Sequence, residues 1–185
     1  MRDVRLAGIV GFGWGLAEGL FFFIVPDVWI SLAALFSLRA GAVAWIASIA
    51  GSLVAVEVVY LLVQSGLDYV GFLDWVPGIS AGLIARAREP LASEGLPYTP
   101  WLVLGGVPLK VYAALAFSLG APLGPVLLWT VFARVVRIAP TYVGAAAVRL
   151  LCRRSIDARP ALWCALVAAF WLVFYLFYFI RMGHA

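Results

Sequence analysis

Apolar residues fall in long runs rather than in strand-like alternation, so the runs and their interruptions predict the elements. Ala42 to Val63 is apolar apart from Glu57, and Ala161 to Ile180 carries no charge. Each has the length of a membrane-crossing helix. Gly124 to Leu151 reads as a third crossing, with Arg134 and Arg137 near its middle and Pro140 shortly after. That pattern predicts a kinked helix facing something polar. Two other stretches differ in kind. Leu6 to Leu38 is too long for one crossing and is broken by Gly11, Gly13, Gly15, Gly19 and Pro26, with Glu18 and Asp27 on either side of the break. Tyr98 to Gly120 is broken by Pro100, Gly105, Gly106 and Pro108, with Lys110 following. Both predict re-entrant helical hairpins, which survive at depth only where protein or a wet cavity satisfies the broken backbone. A full crossing by Leu6 to Val25 is the alternative, and it would flip the parity of everything after it.

The two broken stretches repeat each other. Val25-Pro26-Asp27-Val28-Trp29, then Ala33, Ala34 and Phe36-Ser37-Leu38, matches Val107-Pro108-Leu109-Lys110-Val111-Tyr112, then Ala113, Ala114 and Phe117-Ser118-Leu119. Further on, Val54-Ala55-Val56-Glu57-Val58-Val59 matches Val131-Phe132-Ala133-Arg134-Val135-Val136. Acid stands against base in both. The expected fold is therefore an all-α integral membrane protein of inverted repeats, each a re-entrant hairpin plus a transmembrane helix, with an additional C-terminal transmembrane helix. It is a single membrane domain over 1–185: repeat one at about 6–63, an external loop with an amphipathic segment at 65–97, repeat two at about 98–151, and the anchor at 161–180.

Composition agrees. Of 185 residues, 65% are hydrophobic and 12% charged, where a soluble domain carries about 25% charged residues. Lys and Arg number 13 against 9 acids, ordinary for a membrane protein with Arg-rich cytoplasmic loops, and a nucleic-acid partner is not expected. Residues 65–97 hold two bases against four acids, which suits the external side, whereas Cys152 to Pro160 holds Arg153, Arg154 and Arg159 against Asp157. The positive-inside rule puts that second loop in the cytoplasm with Arg2 and Arg5, so the two repeats run with inverted topology, as in many secondary transporters. Arg2 and Arg5 before an apolar run imitate a signal peptide, but the run resumes after Glu18 without a cleavage context, and the N-terminus reads as retained.

Ionisable groups are expensive in hydrocarbon, so those within the apolar runs are the candidate chemistry. Lys110, Arg134 and Arg137 are candidate ligands for an anionic headgroup, because Arg offers fixed N–H donors to phosphate oxygens and Lys a point charge. Glu18, Asp27 and Glu57 are candidate proton-linked acids. Structural ion pairing is the competing reading of all six. Gly11-Phe12-Gly13-Trp14-Gly15 has no preceding strand and is no dinucleotide fingerprint; close helix packing accounts for it. Phe21-Phe22-Phe23 and the cluster Phe174, Tyr175, Phe177, Tyr178 and Phe179 read as lipid- or interface-facing. Cys152 and Cys164 read as small buried hydrophobes, and His184 as a tail residue. With that one histidine, neither a histidine-dependent membrane phosphatase nor a metal site is expected, nor any enzyme activity or cofactor.

The pattern resembles the DedA family, also called the VTT or SNARE-associated membrane domain, over roughly Gly15 to Val148. Glu18 followed by Pro26-Asp27 looks like that family's first-hairpin acidic element, and Ser37-Leu38-Arg39-Ala40-Gly41 echoes the stretch after it. Gly105-Gly106-Val107-Pro108-Leu109-Lys110 resembles the second-hairpin Arg-Phe-x-Pro-x-x-Arg element loosely: glycine stands where the first Arg would be, and Lys110 comes one place early for the second. The resemblance implies a multi-pass protein of the bacterial cytoplasmic membrane that moves a phosphate-bearing lipid such as undecaprenyl phosphate with proton coupling. Glu18 and Asp27 would be its proton-linked acids and Lys110 its phosphate ligand. A small-ion or drug/proton antiporter and a non-transporting scaffold are the alternatives, and a homo-oligomer is compatible with each.

Overall fold

The computed structural model describes residues 3–98 and 106–183, and every regular element among them is helical. In chain order these are α1 (Val4–Leu20), α2 (Asp27–Phe36), α3 (Leu38–Gln64), α4 (Tyr69–Leu73), α5 (Ala81–Glu94), α6 (Leu109–Ser118), α7 (Leu123–Leu151), α8 (Arg153–Ala158) and α9 (Pro160–Gly183). By length and composition α3, α7 and α9 are fit to cross a membrane, while α2 and α6 are shorter apolar helices. These are the three crossings expected from the apolar runs. The first arm expected for the second hairpin lies largely outside the described residues, as does His184.

Local chemistry sets the helix ends. The Asp3 carboxylate accepts from the amides of Arg5 and Leu6 at 2.8 and 3.3 Å and caps α1. Ser37 is the C-cap of α2 and the N-cap of α3, its hydroxyl accepting from the Ala40 amide at 3.2 Å, so one extended residue turns the corner. Pro26 and Pro108 precede α2 and α6, two ten-residue helices. Helix α7 runs on through Pro140, whose missing N–H leaves the Val136 carbonyl without its usual donor.

Helices α1 and α3 pack side by side and in the same direction, because Gly11, Gly15 and Gly19 meet Ala44, Ser48 and Ala55 in turn. A Cβ on Gly15 would strike the Ser48 carbonyl oxygen, and one on Gly51 the Phe12 carbonyl oxygen. Gly11, Gly15 and Gly19 therefore serve close approach, where dispersion between backbones replaces the hydrophobic effect that lipid cannot supply, whereas Gly13 faces away from α3, where a Cβ would meet nothing within 4 Å. The chain must turn back between two parallel neighbours, and it does so through residues 21–26 and α2, with Trp14 Nε1 donating to the Ile24 carbonyl and Trp29 Nε1 to that of Ala7.

Helix α7 runs antiparallel to α3. Tyr142 stacks near Trp45 in the first half of α3, while Val126 and Trp129 pack with Val56 and Val59 in its second half. Helix α6 brings Phe117 onto Tyr60, near the end of α3, whereas α2 ends at its start. Residues 65–97 fold over α6: Leu83, Ala87 and Leu91 of α5 are buried while Arg86, Arg88 and Glu89 are exposed, the amphipathic pattern read from the sequence. Tyr69 donates to the Leu20 carbonyl at 2.6 Å and Trp129 Nε1 to that of Pro97 at 2.8 Å, fastening this segment to the bundle. At the opposite end Arg149 pairs with Asp157 at 2.9 Å. Cys152 and Cys164 are free thiols, half-buried rather than fully buried.

Candidate functional site

The break after α1, the starts of α2 and α6, and the middle of α7 converge. Glu18, in the last turn of α1, is 1% exposed, as are Lys110 in the first turn of α6 and Arg134 on α7. Arg134 Nη2 makes a close ion pair with Glu18 Oε2, and Lys110 Nζ stands 3.8 Å from Glu18 Oε1. The ammonium also donates to the carbonyls of Glu18 at 2.7 Å and Phe22 at 2.9 Å. Those carbonyls belong to a helix end that has lost its partners, so Lys110 satisfies orphan acceptors where the helix dipole is negative.

Asp27, at the first position of α2, is 4% exposed and accepts from Thr141 Oγ1 at 2.7 Å through Oδ1, while its Oδ2 has no partner. An acid suits a helix N-terminus. Arg137, one turn along α7 from Arg134, is half-buried and makes no hydrogen bond or ion pair among the described residues. Arg134 keeps Nε and Nη1 unpaired although both are buried. The cluster thus holds three bases against two acids, and its free donors are on arginine.

Glu18, Asp27, Lys110 and Arg137 all line one cavity of about 720 Å³, within the usual range of roughly 300–1,000 Å³ for small-molecule sites. Its charged groups come from the last turn of α1, the first turns of α2 and α6 and the middle of α7. Away from them the lining is mostly apolar, with Gly144, Ala145 and Val148 of α7 on the floor and α9 as the wall. Helix α9 packs on α2 and α8 and stands off α7 across this space. It is held through polar tips: Trp171 Nε1 donates to Ser31 Oγ at 3.0 Å, Tyr175 Oη accepts from the Val25 amide at 2.7 Å, Tyr178 Oη donates to the Gly78 carbonyl at 3.3 Å, and Trp163 Nε1 donates to Ser155 Oγ at 3.1 Å.

Five of the six candidate residues therefore meet, and Glu57 does not. It lies on the exposed face of α3 near Val54 and Leu61, and the partner of Arg134 is Glu18. Thr141 was not among the candidates, though it sits four positions after Arg137 on one helix face. Tyr175 and Tyr178, expected to face lipid, and Trp171 turn toward the cavity instead; their spacing of four and three was the available signal. No cluster of metal-ligating residues occurs among the described residues. Comparison of the chain with models of protein families, with curated proteins and with solved structures gave no match. Fold and composition define its class: an all-helical membrane protein with three helices fit to cross the bilayer.

Proposed function

We propose that the protein is a lipid transporter of the DedA kind, moving a phosphate-bearing lipid such as undecaprenyl phosphate across a bacterial cytoplasmic membrane. The observation that carries this reading is an arginine, Arg137, that is unpaired among the described residues and lines a cavity whose surface is mostly apolar. A headgroup phosphate there meets Arg137 and, at the cost of loosening their hold on Glu18, Lys110 and Arg134. The fixed fork of a guanidinium matches phosphate oxygens, and the excess of one positive charge in the cluster favours an anion. Asp27, with one oxygen free in the cavity, and Glu18, which must release its cations if they turn to the lipid, are the proton-linked acids of this cycle.

The same reading takes α1 with α2, and the segment before α6 with α6, as inverted re-entrant hairpins, each followed by a crossing helix. Support comes from the parallel run of α1 and α3, which requires a return between them, and from the antiparallel run of α3 and α7. The test is transfer of a fluorescent lipid phosphate between leaflets of reconstituted vesicles. Arg137→Gln, which breaks no observed pair, is expected to slow transfer by about ten-fold or more, the loss of one charged hydrogen-bonding partner. Wild-type transfer by that variant sinks the assignment.

A second reading is favoured by one observation. Both Arg134 and Lys110 hold the carboxylate of Glu18 in full burial, as a non-transporting scaffold would have them. It predicts that vesicles with the protein move lipid no faster than empty ones.

A further inference from the structure

The geometry points to a hydrocarbon-chain slot inside the protein: the apolar arm of the cavity, between α7 and α9, holds the tail of the ligand whose anionic head lies at Arg137. This rests on the headgroup reading above, but it changes where the tail goes, since a headgroup carrier could leave its tail in the bilayer.

Three observations carry it. The cavity is far larger than a phosphate needs, and its lining on α7 continues from Arg137 through Pro140, Gly144 and Ala145 to Val148, about 16 Å along the helix at 1.5 Å per residue. Along that direction its floor is Gly144, where a Cβ would meet nothing within 4 Å. Gly144 therefore leaves the floor of that arm without a side chain. Its wall is Leu166 and Phe170 of α9, and between Trp163 and Trp171 that helix carries no charged, hydroxyl or amide side chain, only the weakly bonding thiol of Cys164. The helix is tied at both ends of that stretch, to Ser155 and to Ser31, and stands clear of α7 between. Charge at one end and hydrocarbon along the rest match a single-chain anionic amphiphile. Bilayer hydrocarbon is as apolar as the slot, so the slot supplies position and register more than net attraction.

Gly144→Leu is the direct test, because a Cβ there meets nothing within 4 Å and the rest of the side chain extends into the slot. The replacement improves helix propensity, so the variant is expected to unfold at the same or a higher temperature than wild type. Binding of radiolabelled hexadecyl phosphate is measured on the full chain in nanodiscs of uncharged lipid. Gly13→Leu, which also faces open space but on the far side of α1, controls for propensity. Gly144→Leu is expected to weaken hexadecyl phosphate by about ten-fold or more, as overpacking does, with Gly13→Leu unchanged. If Gly144→Leu binds as wild type while Arg137→Gln loses binding, the slot is overturned and the headgroup site stands. If hexadecyltrimethylammonium binds as well as the phosphate, and Gly144→Leu weakens both, the slot stands and the anion reading falls. No binding to wild type overturns both.

Discussion

Glu18 answers two cations with one carboxylate, so each partner depends on the other two. Removing one side of a buried ion pair leaves an uncompensated charge and costs about 3–5 kcal/mol, whereas neutralising both sides costs far less. Arg134→Gln is expected to destabilise the protein by about 3 kcal/mol or more in detergent unfolding, and Glu18→Gln on top of it to recover much of that loss. Glu57→Gln is the contrast, with an expected effect within about 0.5 kcal/mol, because the residue is exposed and has no partner among the described residues. A Glu57–Arg134 coupling as large as that of Glu18–Arg134 would contradict the site. The repeat set Glu57 opposite Arg134 because internal repeats align equivalent positions. Equivalent positions touch only on a symmetry axis, so the true partner, Glu18, was legible as a buried acid but not as Arg134's mate.

At the scale of elements, α9 is the loosest member of the bundle. Most of its surface is exposed, and its grip on the rest comes from a few aromatic side chains with polar tips. Tyr175→Phe keeps the ring contacts with Phe23 and Phe179 and removes only the acceptor for the Val25 amide. A lost hydrogen bond is worth about 1 kcal/mol, so hydrogen exchange at Val25 is expected to speed up about five-fold, with amides in the middle of α3 unaffected. Uniform acceleration would mean that α9 is integral to the global fold. The sequence displayed α3, α7 and α9 plainly, because length and apolarity suffice to define a crossing helix. It did not display which side of α9 faces protein: aromatic residues serve lipid, interface and interior alike, and only the spacing of Trp171, Tyr175 and Tyr178 separates these uses.

For the whole molecule, helix directions fix which loops share a side. Helix α3 starts near Tyr142 and ends near α4, while α7 returns antiparallel to reach α8. The start of α3 and α8 therefore lie at one end of the bundle, and residues 65–97 at the other. In a Cys152→Ser, Cys164→Ser background, thiols introduced at Arg39 and Arg154 are expected to react with a membrane-impermeant maleimide from the cytoplasmic side. One at Arg88 is expected to react from the outside. Arg39 and Arg88 labelling from the same side would mean that the bundle is not inserted along α3. The loop charges already implied this orientation, and the parallel packing of α1 on α3 supplies what they lacked, a reason for the first arm to come back. The small residues that permit that packing were legible; the direction of the packing was not, since a small-residue stripe fits a parallel or an antiparallel neighbour equally well.

The two ten-residue helices, α2 and α6, both begin at the cavity and run to opposite ends of α3. At 1.5 Å per residue each is about 15 Å long, half of a hydrocarbon core of about 30 Å. On the transport reading, a charge resting where they begin would have been carried through roughly half of the transmembrane voltage, about 1.2 kcal/mol for each elementary charge per 100 mV. The membrane potential would then divide its work between entry from one face and release at the other, and the resting place would be the electrical midpoint of the bilayer.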